Sequence, residues 1–308
     1  MDIKVFAPAS IGNVGVGFDI MGLCIERPGD EVIVRFSNTP GLRITHITGG
    51  GGKLPYAVEK NTAGVAALRL LEHLGETGRG IEMEIHKKMP SGSGLGSSAA
   101  SAVAAALAVS ELLQTGLSKH QLLPFACAGE QLASGSFHAD NVAPCLLGGM
   151  VLIRDNPTLD VHQVPIPAGL HVAVVHPQVE VLTKHARGIL KPDITLKQHI
   201  GQSANLAAFL IGMFNSDLDL LSRSLRDDII EPQRAALIPG FYDVKSAALG
   251  QGALGCTISG AGPSCFALCA NQNIAEKVGA AMHTAFASHR IDSEVYLSPV
   301  NREGAVVL

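Results

Sequence analysis

Apolar and polar side chains alternate at the start of the chain, and the same period of two returns at intervals along it. It predicts strands over 3–7, 31–36 and 81–86, where Ile81, Met83 and Ile85 would share one face. Short apolar runs predict further strands over 150–153, 171–176, 255–259, 264–268 and 294–297. Elsewhere the spacing is helical. Val65, Leu68, Leu71 and Leu74 recur every third residue and predict a helix over 61–74. An Ala-rich run predicts a second, reaching Gln114. A third is expected over 117–132 with Ser118 as its N-cap, and others over 196–214, 218–228 and 274–288. The Gly49-Gly50-Gly51-Gly52 run requires a loop or a tight turn. Pro157, Pro165 and Pro167 crowd into 156–169, which predicts a boundary there and two units, 1–165 and 166–308. Strands and helices mix without a regular β-α-β rhythm, so two α+β domains are expected rather than one doubly wound sheet.

Composition narrows the function. The 308 residues are 47% hydrophobic and 16% charged, with 34 glycines, which excludes a disordered chain. Aromatics make up 4% and Trp is missing, so stacking on single-stranded nucleic acid is not expected. A net charge of −4 gives no basic footprint for DNA or RNA. The longest apolar run, 99–109, is broken by Ser101 and is too short to cross a bilayer, and the chain opens directly into strand-like residues, with no signal peptide expected. Six cysteines form no C-x-x-C pair and sit among apolar neighbours, which suits a reducing cytoplasm. His46, His73, His120, His162, His199, His283 and His289 show no metal-ligand spacing.

The strongest chemical signal is Pro90-Ser91-Gly92-Ser93-Gly94-Leu95-Gly96-Ser97-Ser98-Ala99-Ala100. Glycines let backbone N–H groups approach an anion, and a helix N-terminus directly behind supplies unpaired donors and about half a positive charge. Ser97 and Ser98 add hydroxyls for a phosphate oxygen or a metal ion. No Gly-Lys-Ser/Thr follows, so this is not a Walker loop, and the glycine spacing is not that of a dinucleotide fingerprint.

The segment resembles the P-x-G-x-G-L-G-S-S-A-A phosphate loop of the GHMP superfamily of small-molecule kinases. Two more motifs are similar to its homoserine kinase branch: Pro8-Ala9-Ser10-Ile11-Gly12-Asn13-Val14-Gly15-Val16-Gly17-Phe18-Asp19-Ile20-Met21-Gly22 and Ser259-Gly260-Ala261-Gly262-Pro263-Ser264. Ser10-Ile11-Gly12 departs from the T-S-A that members of the family often carry, but Asn13 and Asp19 remain. The resemblance spans essentially the whole chain. It implies an N-terminal domain like the second domain of ribosomal protein S5, a ferredoxin-like C-terminal domain, and the nucleotide at their junction. The activity it implies is ATP-dependent phosphorylation of the L-homoserine hydroxyl, in threonine biosynthesis. Alternatives are a GHMP kinase with a mevalonate- or sugar-type acceptor and a non-catalytic nucleotide sensor.

The same resemblance assigns roles. The phosphate loop would hold ATP, flanked at base and ribose by Asn61, Thr62 and Lys87. Ser98 and Glu130 would hold Mg²⁺; a carboxylate inside the apolar run 126–130 is costly unless paired or metal-bound. His138-Ala139-Asp140-Asn141 matches a family segment, so Asp140 and Asn141 are expected to contact the substrate and place its hydroxyl, with Asp140 as general base left open. Thr183 and Arg187 lie in a T-x-x-A-R segment and Arg234 in an E-P-x-R segment. The two guanidiniums suit a carboxylate, Asp19 suits an ammonium, and Asn13, His138 and Gly260 complete the acceptor end. A homodimer is the expected assembly.

Overall fold

The computed structural model describes residues 2–308. In chain order the elements are β1 (Asp2–Gly12), β2 (Met21–Phe36), β3 (Leu42–Thr48), α1 (Thr62–Leu74), β4 (Ile81–His86), α2 (Ser97–Leu112), α3 (Lys119–Ser134), α4 (Val142–Leu147), β5 (Met150–Asp155), β6 (Asp160–Val164), β7 (His171–Pro177), α5 (Thr183–Gly188), α6 (Leu196–Asn215), α7 (Leu218–Ser224), α8 (Glu231–Arg234), α9 (Phe241–Gly250), β8 (Gly255–Ile258), β9 (Cys265–Cys269), α10 (Gln272–Ser288), β10 (Ser293–Pro299) and β11 (Val306–Val307). They build an α+β fold around two sheets. One runs β11-β1-β2-β4-β3, with the β5–β6 hairpin joined to the start of β2; the other runs β10-β7-β9-β8.

Sequence chemistry accounts for most element ends. Asn61 caps α1 by accepting from Ala63 and Gly64, Ser118 and Gln121 form a capping box on α3, and Asn271 caps α10. Two strands run well beyond their expected ranges. β1 continues to Gly12 and β2 starts at Met21, although Pro8, Pro28 and Gly29 read as breaks. Pro8 lies opposite Gly29, and a register shift between Pro8 and Ser10 absorbs the irregularity. A Cβ at Gly29 would run into the Phe6 ring, so glycine is what lets the long pair stay closed. α7 stops at Ser224, before the expected 228, because Asp227 accepts from the amides of Ile229, Ile230 and Glu231 and so opens α8. β3, β6 and α9 lie outside the expected elements. β6 falls inside the proline-rich 156–169 stretch, where it forms a hairpin with β5.

The last strand returns to the first sheet, with Val306 opposite Phe6 and Val307 opposite Val5. Phe209, Leu221, Phe266 and Val300 pack into the same apolar core as the first strands. A bridge between Ile25 and Val300 ties the sheets further. The second sheet has its own core beneath α9 and α10, built on Phe241, Val244, Val278 and Phe286.

At the centre of the first unit lies α2. Its small side chains, Ala99 to Ala106 among them, are almost all buried, so its neighbours approach closely on several sides. Gly129 on α3 shows how closely. A Cβ there would lie 2.9 Å from the Ala102 Cβ and 3.0 Å from the Ala66 Cβ, and would run into the Thr62 carbonyl oxygen. Gly129→Ala should therefore destabilise the protein by about 1–3 kcal/mol through overpacking, although alanine is the better helix former by about 1 kcal/mol. Thermal unfolding of the purified variant decides between the two signs.

Candidate functional site

A cavity of about 370 Å³ opens where the phosphate loop, the first Gly-rich loop and the 259–264 turn meet. That volume suits a small-molecule site. Gly92, Gly94 and Gly96 all have positive φ, and the loop passes directly into α2. α1, α3, α6, α7 and α10 have side-chain caps, whereas no side chain caps α2. Its first residues, Ser97 and Ser98, line the cavity, so its uncapped N-terminus lies at the cavity wall, as an anion site requires. Ser91, Gly92, Ser93, Gly94, Gly96, Ser97 and Ser98 line the cavity. Leu95, Ala99 and Ala100 turn into the core and Pro90 stands behind the lining, so none of these four offers a side chain to a ligand.

Contacts from distant segments hold the loop. The Ser10 amide donates to the Leu95 carbonyl at 3.1 Å and the Ser264 amide to the Ser93 carbonyl at 3.2 Å. The Ser259 hydroxyl donates to the Gly94 carbonyl at 2.6 Å. The Gly260 amide donates to the Gly12 carbonyl, and the Gly260 carbonyl accepts from Asn13 Nδ2 at 2.8 Å and from Arg234 Nη1 at 2.9 Å. The three sequence motifs therefore form one connected structure. Ser10, whose substitution marked the departure from the family pattern, also donates to Asn141 Oδ1 at 3.0 Å.

Glu130 stands beside this loop on α3. Burial pushes its carboxyl up to about 7, a hydrogen bond from the Ser98 hydroxyl opposes the shift, and Oε2 is buried without a partner. A buried, half-satisfied carboxylate next to a hydroxyl and a phosphate loop is the donor set a hard divalent cation takes. These residues fit Mg²⁺.

The other end of the cavity carries two carboxylates and two guanidiniums. Asp19 receives Arg187 through both oxygens, at 2.9 and 2.7 Å, and its amide donates to Asn13 Oδ1. Arg187 Nη2 also lies 3.1 Å from His138 Nε2, and His138 Nδ1 lies 2.9 Å from Asp140 Oδ1. A guanidinium only donates, so this contact places the imidazole proton on Nδ1, facing Asp140. Asp140 Oδ2 accepts from Asn141 Nδ2 at 3.3 Å. Asp19, His138 and Asp140 form the only three-ligand cluster among the described residues, but Arg187 already bonds two of its members, which does not suit a metal ion. Arg234 is 3% exposed and donates to carbonyls alone, those of Ala186 and Gly260. Burial, together with the nearby Arg187 charge, lowers it to about 10. Both guanidiniums lie over the Phe18 ring, at 5.3 and 5.1 Å from its centroid.

Asn13, Asp19, Asn61, Thr62, Lys87, Ser98, Glu130, His138, Asp140, Asn141, Thr183, Arg187, Arg234 and Gly260 all line this one cavity. Their availability differs. Asn61 caps α1 and bonds the Pro55 carbonyl, and Thr183 is exposed at the rim. Lys87 is buried, with its ammonium held by Asp30, the Ser97 carbonyl and the Ser101 hydroxyl. Three acceptors take its three N–H groups, so the Lys87 ammonium is committed within the protein in this arrangement. Sequence reading passed over Leu54, Pro55 and Lys60, which line the end near Asn61, and Phe18 and Asp30. Phe18 sits inside a quoted motif and could have been singled out there. Asp30 carries no local signal.

Comparison with known proteins agrees with this architecture. The model of the GHMP kinases N terminal domain matches residues 61–149, and that of the GHMP kinases C terminal domain matches 206–288. The chain is 46% identical to the homoserine kinase of Chlorobium phaeobacteroides (strain BS1), over 98% of each chain. It is 44% identical to that of Xylella fastidiosa (strain M12), over 99% of this chain and 94% of the other. The crystal structure of homoserine kinase from Cytophaga hutchinsonii superposes with a TM-score of 0.97 at 53% identity, covering 100% of this chain and 97% of that one. L. major mevalonate kinase shares the fold alone, at a TM-score of 0.75 and 18% identity over 96% of each chain. With both domain models matched in order and relatives this similar along the whole length, the chain belongs to the GHMP kinase family.

Proposed function

We propose that the protein transfers the terminal phosphoryl group of ATP to the side-chain hydroxyl of L-homoserine, giving O-phospho-L-homoserine and ADP. The observation that carries the acceptor assignment is Arg234, a buried guanidinium with no carboxylate partner, beside Arg187 paired to Asp19. An amino acid zwitterion suits this end: its carboxylate answers the excess positive charge between the arginines, and its ammonium would share the Asp19 carboxylate with Arg187. The full-length relatives named homoserine kinase support the same substrate.

Phosphoryl transfer of this kind needs in-line positioning and charge neutralisation more than a strong base. Backbone amides of the phosphate loop and the N-terminus of α2 bind the phosphates. Asn141, fixed by Ser10, and Asp140, fixed by His138, stand between the loop and the arginines, where they orient the acceptor hydroxyl. Ser98 and Glu130 would hold Mg²⁺, which supplies positive charge to the phosphate oxygens. All six cysteines are buried free thiols, which suits the reducing cytoplasm where this reading places the reaction. No helix among the described residues is long and apolar enough to cross a membrane. A homodimer belongs to the same reading, and the mass of the protein in solution tests it.

The substrate assignment is tested by ADP release with homoserine, mevalonate, galactose and shikimate as acceptors; preference for any but homoserine overturns it. Arg234→Gln should raise KM for homoserine at least about ten-fold and leave KM for ATP near the wild-type value, since a lost charged hydrogen bond costs about 1.5–3 kcal/mol.

Glu130→Gln should lower turnover by about 100-fold or more, as loss of a charge-stabilising group does, while making the ligand-free protein more stable. The folded carboxyl titrates near 7 against an ordinary 4.5, so the folded state binds the proton more tightly than the unfolded chain does. Stability from this group therefore falls as pH rises from about 4.5 to 7 and is flat above, a loss of at most about 3 kcal/mol. Melting without Mg²⁺ or nucleotide should show Glu130→Gln above wild type at pH 8, with the gap closing by pH 5. Equal melting temperatures at both pH values would contradict the shift.

A further inference from the structure

The phosphate loop contains no lysine or arginine between Pro90 and Ala100. The two cations just before it are both committed elsewhere. Lys88 Nζ reaches Glu31 Oε1 at 2.5 Å on the outer side. The Lys87 side chain is only 5% exposed, with Nζ against Asp30 Oδ2, 2.6 Å from the Ser97 carbonyl oxygen and 2.7 Å from Ser101 Oγ.

Asp30 is fully buried on β2 and uses every acceptor position it has. Oδ1 accepts the amides of Lys88 at 2.8 Å and Met89 at 3.1 Å, where the chain enters the loop. Oδ2 accepts the Ser97 hydroxyl at 2.9 Å, where the chain leaves the loop and α2 begins. One carboxylate thus joins both ends of a segment whose three positive-φ glycines give it little stiffness of its own. The benefit has an electrostatic cost. A bare carboxylate behind the first turn of α2 would oppose the positive potential that the helix offers to phosphate. Lys87 cancels that charge from within the protein.

The geometry points to a positioning role for this pair: Asp30 fixes the two ends of the phosphate loop, and Lys87 acts by neutralising Asp30 rather than by touching the nucleotide. The inference rests on the reading of the loop as the nucleotide site. It makes the two residues interdependent in a way a direct Lys87–phosphate contact would not. Lys87→Met leaves Asp30 charged and unpaired behind the phosphates. Asp30→Asn keeps the geometry, since its carbonyl can accept the amides of Lys88 and Met89 and its NH₂ can donate to Ser97, but removes the charge. Added to Lys87→Met, it should restore binding.

The test is calorimetric titration of the full-length protein with Mg·ADP. The expected result is at least about ten-fold weaker binding by Lys87→Met, in line with one uncompensated charge-assisted contact, and recovery to within about three-fold of wild type in the Asp30→Asn/Lys87→Met double variant. KM for homoserine should stay unchanged in the double variant, which separates a local effect on the loop from a general loss of structure. If Lys87→Met does not fold, the charge-neutral double variant still decides the matter, because a directly contacting lysine would leave it at least about ten-fold weak. A double variant as weak as Lys87→Met or weaker overturns the inference. No Mg·ADP binding by the unmodified protein would instead overturn the nucleotide reading itself, and this inference with it.

Discussion

The loop between Met89 and Ser97 keeps its shape through hydrogen bonds to its own carbonyls and flanks, and the rest of the site depends on that. Three glycines in the left-handed region would sample many conformations in isolation. Ser10 and Ser264 donate main-chain amides to loop carbonyls, Ser259 donates its hydroxyl, and Asp30 ties the ends. Because carbonyls are the groups consumed, the loop's amides stay available for an anion. This division also explains why residues nearly 250 positions apart must meet. The 259–264 turn belongs to the second sheet and the Ser10 segment to the first, so the nucleotide end is complete only when both sheets are in place.

Charge is arranged differently at the two ends of the cavity. At the nucleotide end the local positive potential comes from backbone dipoles, with side-chain charges cancelled in pairs behind it. At the acceptor end the charges are left partly uncancelled. Asp19 and Arg187 pair, His138 links Arg187 to Asp140, and Arg234 is held against Phe18 and two carbonyls with its charge unanswered. The first arrangement favours a large polyanion whose own charge is then met by a cation. The second favours a small molecule carrying both signs.

Much of this was legible in the sequence, for identifiable reasons. Helices α1, α3, α6 and α10 and strands β4, β5 and β7 follow from periodicity and caps that are local in the chain. The phosphate loop follows from glycines before a small-residue helix. What escaped was set by partners remote in sequence. β2 extends through Pro28 and Gly29 because β1 lies alongside it, and β11 is a strand only because β1 offers an edge. Among site residues, those inside compact motifs could be named, whereas Asp30 sits in an ordinary-looking strand and its importance depends on where residues 88, 89 and 97 come to rest. The commitment of the Lys87 ammonium to Asp30 is hidden for the same reason, since the two residues stand 57 positions apart in the chain.

The contrast between Asp30 and Glu130 shows how function is marked in the packing. Both are buried carboxylates near the same loop. Asp30 has all of its bonds made within the protein and serves the fold. Glu130 keeps one oxygen unbonded and has its carboxyl displaced towards neutrality by burial. Buried polar atoms are nearly always satisfied in a folded protein, so the exceptions mark where a partner from outside is due. Among the described residues the unpartnered buried side-chain atoms are Ser93 Oγ, Glu130 Oε2, Ser136 Oγ and Arg187 Nε, and three of these four residues line the one cavity. The protein gives up stability at these atoms, and under the proposed reading a phosphate, a cation and a carboxylate would complete them.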